Sequence, residues 1–225
     1  MVRFLGFNFV LLSLLILAAP AHAQDAPTFD PRQVPEEGHK LQDFVPAGWK
    51  IGANVEGDLN GDQVPDHVFQ IVPSDYDYSG VNAAPESQAL AIVVSDHGVL
   101  RRAALSAKFL ATMVPQYILE ITIKNGVVVI EQNFGMTDVS NLTHRFRFEP
   151  TANRFLLIGA DTFNYHRPQG PKWPATRISE NYLTGVRLIT TDRWLKNQTN
   201  KPATKRERVA RKRVFLEEID HSAID

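Results

Sequence analysis

The sequence predicts an all-β fold of antiparallel strands, arranged as a sheet, a sandwich or a partial propeller-like unit. Short apolar runs rich in β-branched residues recur along the chain, and turn dipeptides such as Asn125-Gly126 separate them. No βαβ rhythm is present, which argues against a parallel sheet. We also expect extended termini and allow one short helix.

The first predicted strands surround an acidic loop. We expect strands over residues 50–55 and 68–72, before and after that loop, and a buried strand over residues 90–94, where the run is β-branched and apolar. Residues 101–113 are compatible with a helix. These elements would pack beneath the loop and hold its ends.

Three hairpins follow. Residues 118–123 and 127–130 flank Asn125-Gly126, a strong signal for a two-residue turn. Residues 143–148 alternate polar and apolar side chains, and a strand over residues 154–158, continued by residues 159–165, follows a turn at 150–153. The last hairpin joins residues 177–183 and 186–190 around Thr184-Gly185. Residues 207–219 are compatible with a helix or a charged edge strand.

The N-terminus has the pattern of an export signal. A positive start is followed by an apolar run over residues 4–19 and by Ala21 and Ala23 in small-x-small spacing, so we expect cleavage after Ala23. The mature protein would be periplasmic or secreted, without a transmembrane span. We divide the chain into a signal peptide at 1–23, a flexible leader at 24–43, a β domain at 44–195 and a charged C-terminal extension at 196–225.

Charge is unevenly distributed along the chain. Residues 24–95 contain twelve acidic and three basic residues, a balance of −9, whereas residues 196–213 contain eight basic residues and one acid, Glu207, a balance of +7. The basic run is either a solvated extension or a contact for anionic surfaces such as lipid headgroups or acidic polysaccharide. We expect an unknown protein or an envelope polysaccharide as partner, and no nucleic acid. The absence of cysteine excludes disulfides and thiolate metal sites.

The acidic loop at residues 58–66 has the spacing of a calcium site. Calcium takes six to eight oxygen ligands, and alternate residues of a tight loop can point toward one ion. The predicted ligands are the side chains of Asp58, Asn60, Asp62 and Asp66 and the carbonyl of Val64. Position twelve of the loop is Phe69, which excludes an EF-hand. A structural Ca²⁺ ion is therefore the predicted cofactor.

The alternative is a hairpin turn without metal. Asn60-Gly61 is itself a two-residue turn signal, and acids are common in turns. Gln63 also stands where such loops usually place glycine, at a cost of about 1 kcal/mol if the backbone there has positive φ.

Residues 57–66 resemble the calcium loop of integrin-type FG-GAP and VCBS repeats, in a single copy. Residues 46–49 (PAGW) and 181–185 (NYLTG) are similar to motifs in a group of exported bacterial proteins of unassigned role that carry one such loop. The resemblance spans residues 44–191 and the basic tail. It implies ligand roles for Asp58, Asn60, Asp62 and Asp66, and it implies no activity.

The sequence lacks the usual signatures of catalysis. It contains no His-Glu-x-x-His, Gly-x-Ser-x-Gly, phosphate-binding glycine loop or Ser-x-x-Lys pattern, and its histidines lack metal-ligand spacing. We therefore expect a non-catalytic envelope interaction or binding module. The alternative is a carbohydrate-active hydrolase that uses acids near the loop, and an inhibitor or chaperone-like module is also open. Trp49 and Trp173 are expected to pack in the core rather than to form a sugar-binding face.

Overall fold

The computed structural model describes residues 27–78, 83–169, 172–193 and 200–221. The predicted signal peptide lies outside these ranges. The all-β prediction is confirmed, because two antiparallel sheets of five and seven strands form the fold. Within the described ranges, no helix has the length and apolar character needed to span a bilayer.

The five-stranded sheet contains the strands that flank the acidic loop. Its order is β1-β5-β4-β3-β2. The strands are β1 (Glu37–Gly38), β2 (Trp49–Gly57), β3 (Asp66–Pro73), β4 (Ala89–Asp96) and β5 (Val99–Ser106). The predicted strands at 50–55, 68–72 and 90–94 lie within β2, β3 and β4.

The seven-stranded sheet is a meander in which every strand pairs with its neighbours in the chain. Its strands are β6 (Ile118–Lys124), β7 (Val127–Phe134), β8 (Asp138–Glu149), β9 (Arg154–His166), β10 (Thr176–Asn181), β11 (Val186–Thr191) and β12 (Ala203–Arg208). The predicted Asn125-Gly126 hairpin is confirmed, with φ of 53° and 71° at the two residues. Both angles are positive, as a type I′ turn requires.

The main core lies between the two sheets. Val68, Leu90 and Ile92 of the five-stranded sheet belong to one buried cluster with side chains of the other sheet and of two connecting segments. Those partners include Ile121, Val128, Ile130, Phe146, Phe155, Phe109 and Leu216. Since β3 and β4 also bury their opposite faces, their sequences are apolar runs rather than alternating ones.

The leader prediction is wrong for the part that is described. Residues Pro31–Gln33 and Leu41–Phe44 form 3-10 turns, and β1 pairs with β5. Phe29, Val34 and Phe44 are buried against the outer face of the five-stranded sheet. The segment is ordered because this apolar face would otherwise be exposed to water.

The helix allowed at residues 101–113 is also wrong. The positive-φ pair His97-Gly98 turns the chain from β4 directly into β5, which pairs with β4 and β1. Pairing and burial override the helix propensity of the Arg, Ala and Leu residues in this stretch.

The C-terminal region is part of the fold rather than a detached extension. Its ambiguous stretch contains both an edge strand and a turn, because β12 pairs with β11 and Leu216–Glu218 form a 3-10 turn. Phe215 and Leu216 are buried, and the Leu157 N–H donates to the Val214 carbonyl at 2.9 Å. The chain end therefore closes the main core from one side.

Replacement of Leu216 by alanine tests whether the C-terminal segment closes the core. We expect Leu216→Ala to lower the free energy of unfolding by about 2–4 kcal/mol, because a fully buried leucine leaves a cavity. Leu183→Ala is the matched control, since Leu183 is exposed, and it should cost under about 0.5 kcal/mol. Urea unfolding measures both changes, and equal small losses would show that the C-terminal segment does not support the core.

Candidate functional site

The acidic loop connects two paired strands at one end of the five-stranded sheet. Gly57, the last residue of β2, pairs with Asp66, the first residue of β3. The connection is thus the whole of residues 58–65 and not a two-residue turn at Asn60-Gly61. Leu59 is buried in the main core and anchors the first half of the loop.

Side-chain oxygens of the loop accept hydrogen bonds from its own backbone. The Asp58 carboxylate accepts from the N–H groups of Gly61 at 2.7 Å and Gln63 at 3.0 Å. Asn60 Oδ1 accepts from Asp62 N–H at 3.0 Å, and Asp62 Oδ1 accepts from Val64 N–H at 2.7 Å. These contacts curl the chain so that the alternating oxygen side chains share one loop.

Asp66 is the buried member of the predicted ligand set. Its side chain has no solvent exposure, and its two oxygens accept from Leu59 N–H at 2.8 Å and from Ser95 N–H at 2.7 Å. Burial raises the pKa of Asp66, these two hydrogen bonds lower it, and the Asp62 charge raises it. The Asp66 carboxylate therefore connects the loop to β4, although burial and the Asp62 charge disfavour its ionised form.

No basic side chain offsets this effect among the described residues. No lysine, arginine or histidine nitrogen lies within 4.0 Å of the carboxylates of Asp58, Asp62 or Asp66 there. Likewise, within the described ranges no three His, Cys, Asp or Glu side chains are grouped to hold one metal ion. The donor chemistry suits a hard cation, although the Asn60 amide donates to Asp62 Oδ2 at 3.0 Å, so this contact would have to open on binding.

Gln63 has the backbone conformation that the sequence leads one to expect. Its φ is 65°, a region where a side chain costs about 1 kcal/mol relative to glycine. The N–H of Gln63 nevertheless reaches the Asp58 carboxylate at 3.0 Å, so the loop keeps its curl without a glycine at this position.

Ser95 is the part of the site that sequence reasoning missed. Its N–H binds Asp66, and its Oγ donates to the Pro65 carbonyl at 2.7 Å. Ser95 follows the predicted strand at residues 90–94 and carries no motif. Only the pairing of β3 with β4 brings it to the loop.

A cleft of about 720 Å³ opens beside the loop. It brings Asp62 near Asp96 and the imidazoles of His39, His67 and His97. Asp96 accepts from the Arg101 guanidinium at 2.8 Å. The cleft therefore contains two carboxylates, one of which is held in an ion pair.

The aromatic residues have two different roles. Trp49 packs edge-on against Phe29, with ring centroids 5.0 Å apart, in the cluster on the outer face of the five-stranded sheet. Core packing was the wrong expectation for Trp173, which is 47% exposed and stacks on His166.

Within the basic run, β12 forms an edge of the larger sheet. Lys205 pairs with Glu207 at 2.7 Å, and the Arg213 guanidinium lies 3.8 Å from Glu149. Across the described ranges, no carboxylate lies within 4.0 Å of the basic groups of Lys201, Arg206, Arg208, Arg211 and Lys212. The strand therefore carries uncompensated positive charge. The Lys196 end of the run lies outside the described residues.

A histidine pair connects β8 to the C-terminal segment, with His144 buried and His221 half-buried. The rings of His144 and His221 have centroids 5.2 Å apart, and both contact Phe109. Among the described residues, His144 Nδ1 and His221 Nε2 have no hydrogen-bond partner. Burial lowers the pKa of His144 to about 3 and that of His221 to about 4.

No protein family model matches this chain, and neither a curated protein nor a solved structure is similar to it.

Because of the histidine pair, we expect the free energy of unfolding to fall in mild acid. A histidine whose pKa is depressed in the folded state contributes stability above its ordinary pKa of 6.5, and this contribution is lost as the pH falls toward 4. We expect His144→Phe to reduce the loss of unfolding free energy between pH 7 and pH 5 by on the order of 2 kcal/mol.

Chemical denaturation at the two pH values measures this effect. His39→Phe is the matched control, because His39 is exposed, and it should leave the loss at its wild-type size. An unchanged acid sensitivity in His144→Phe would contradict the assignment.

Proposed function

We propose that this protein is an exported, non-catalytic binding module whose fold is stabilised by Ca²⁺ at residues 58–66. The observation that carries the proposal is the buried Asp66 carboxylate, which has no cationic partner among the described residues and faces the charge of Asp62. A divalent cation would remove the repulsion between these acids and favour the charged form of Asp66.

The proposed ligand set is the one that the spacing of the loop residues predicts. The side chains of Asp58, Asn60, Asp62 and Asp66 and the carbonyl of Val64 would hold the ion, and each carboxylate oxygen that accepts one backbone N–H has a second lone pair for a metal. The ion would fix the β2–β3 connection and, through Asp66 and Ser95, the end of β4. Its role is structural.

The basic edge strand supports an anionic partner. Since β12 is hydrogen-bonded to β11, the charges of Arg206 and Arg208 are carried on an ordered strand rather than on a random tail. Ordered charges lose less side-chain and backbone entropy on binding. We propose acidic polysaccharide of the cell envelope as the class of partner.

A carbohydrate-active hydrolase is the second proposal. The cleft beside the loop, which contains Asp62 and Asp96, is the observation that favours it. The Asp96 carboxylate is already engaged by the Arg101 guanidinium at 2.8 Å, so it would have to leave this ion pair to reach a substrate. The non-catalytic proposal is therefore preferred.

Calcium should raise the melting temperature of residues 24–225. At a free Ca²⁺ concentration about 100-fold above Kd, binding to the folded state adds about 2.7 kcal/mol, which corresponds to a rise of about 5–10 °C. Asp62→Asn should reduce the rise by more than half, because it preserves the turn oxygen but removes one charge.

Two comparisons make this measurement specific. Asp75→Ala removes an exposed acid outside the loop and should keep the full rise. In chelator, Asp62→Asn should melt within about 2 °C of wild type. A wild-type protein that melts at the same temperature with and without Ca²⁺ would overturn the proposed metal site and leave a metal-free turn.

Charge reversal tests the basic edge. We expect the double variant Arg206→Glu/Arg208→Glu to elute from a dextran sulfate column at a clearly lower salt concentration than wild type, because exposed charge contacts are screened by salt. Lys124→Glu/Arg147→Glu makes the same change in net charge at exposed positions of β6 and β8, away from β12. Equal shifts for both double variants would show that retention depends on net charge and not on β12.

A further inference from the structure

We propose that a second cavity, between the seven-stranded sheet and residues 107–114, binds a small uncharged amphiphile. The ligand would have a compact apolar body with a hydroxyl, amide or aromatic amine group at one end. The cavity has a volume of about 390 Å³, within the range of about 300–1,000 Å³ typical of small-molecule sites. This proposal does not depend on Ca²⁺ in the acidic loop.

Part of the cavity wall is apolar. Leu110, Ala111 and Leu142 are buried and line it, together with the half-buried side chains of Val114 and Phe134. Such a surface gains free energy when an apolar body displaces water from it.

The cavity wall also carries uncharged polar groups. Thr112, Ser140 and Thr162 are half-buried, and Asn164 is exposed. Ser140 and Asn164 stand opposite each other in the pairing of β8 with β9. None of the hydrogen bonds formed among the described residues uses these four side chains, so hydroxyl and carboxamide donors and acceptors are available in a cavity whose other lining is largely apolar.

The charged side chains that line the cavity pair with each other. Lys108 and Asp220 form an ion pair of 3.0 Å. The neighbouring His221 is neutral at pH 7, because burial lowers its pKa to about 4. An anionic or cationic ligand would therefore lose hydration without gaining an available counter-charge. This balance selects for an uncharged ligand.

Hydrogen bonds hold the wall of the cavity in place. The Ala111 N–H donates to Gln132 Oε1 at 2.8 Å, and the Ala111 carbonyl accepts from Gln88 Nε2. The His221 N–H donates to the Lys108 carbonyl at 3.0 Å. Because these contacts fix residues 107–114 against both sheets, little ordering is required on binding.

Two fluorescent probes test both the site and its charge preference. N-phenyl-1-naphthylamine and 1-anilinonaphthalene-8-sulfonate share one ring skeleton and differ by a sulfonate group. We expect saturable fluorescence enhancement at pH 7 with the full mature protein, and a Kd at least tenfold lower for the uncharged probe.

Cavity-filling variants locate the binding. Thr112→Trp should weaken binding of the uncharged probe at least tenfold, whereas Thr122→Trp, on the exposed side of β6, should not change it. Val114→Trp is a second filling variant, for use if the melting temperature shows that Thr112→Trp is unfolded. Asp220→Asn removes the partner of Lys108, so the ratio of the two Kd values should shift at least threefold toward the anionic probe.

Three results would overturn the proposal. The first is the absence of saturable binding of the uncharged probe. The second is equal affinity for the two probes in the wild-type protein. The third is binding of the uncharged probe that both folded Trp variants in the cavity leave unchanged.

Discussion

The central constraint on this fold is that the five-stranded sheet must be covered on both faces. β3 is almost entirely buried, with Val68 in the core between the sheets and Phe69 in the cluster on the opposite side. One face is covered by the larger sheet, and the other by residues that precede β2 in the chain. Segments that look like flexible ends in the sequence are therefore required by the apolar surface of two central strands.

The same constraint determines what the acidic loop can do. Because the loop starts at the end of β2 and ends at the first residue of the buried strand β3, Asp66 enters the protein interior together with that strand. Its carboxylate then accepts from backbone N–H groups on both sides, including Ser95 of β4. A buried carboxylate lowers the stability of the fold when no cation neutralises it. The ion-binding chemistry of the loop and the packing of the sheet are therefore coupled.

Local sequence signals predicted the fold correctly where strand-forming apolar runs flank a recognisable turn. The Asn125-Gly126 hairpin is the best case, because its two positive-φ residues and its flanking apolar runs agree. The prediction of a helix at residues 101–113 failed for two reasons. His97-Gly98 is a less familiar turn pair, and the Arg, Ala and Leu residues that follow it favour a helix in isolation. The prediction of a flexible leader failed because Phe29, Val34 and Phe44 show no periodicity in the sequence. They pack against a sheet whose main strands follow them in the chain.

For the site, sequence spacing identified the loop oxygens but could not identify their partners. Ser95 lies 29 residues from Asp66, and His221 lies 77 positions after His144, so neither contact has a local signature. Contacts of this kind depend on sheet register, which the turn types and the two-sided burial of β3 and β4 determine together.

Two sites with shifted pKa values make the stability of the fold depend on pH in opposite directions. The pKa of Asp66 is raised in the folded state, so the stability associated with its protonated form is present in acid and is lost as the pH rises through that pKa. The histidine pair has the opposite sign, since its neutral form is favoured and stability is lost as the pH falls below 6.5. A bound Ca²⁺ would favour the charged form of Asp66 and compete with its proton, so the ion would contribute most at neutral pH, where the histidines are also neutral. If Ca²⁺ binds as proposed, the stability of the two-sheet fold would therefore depend jointly on the ion concentration and on pH.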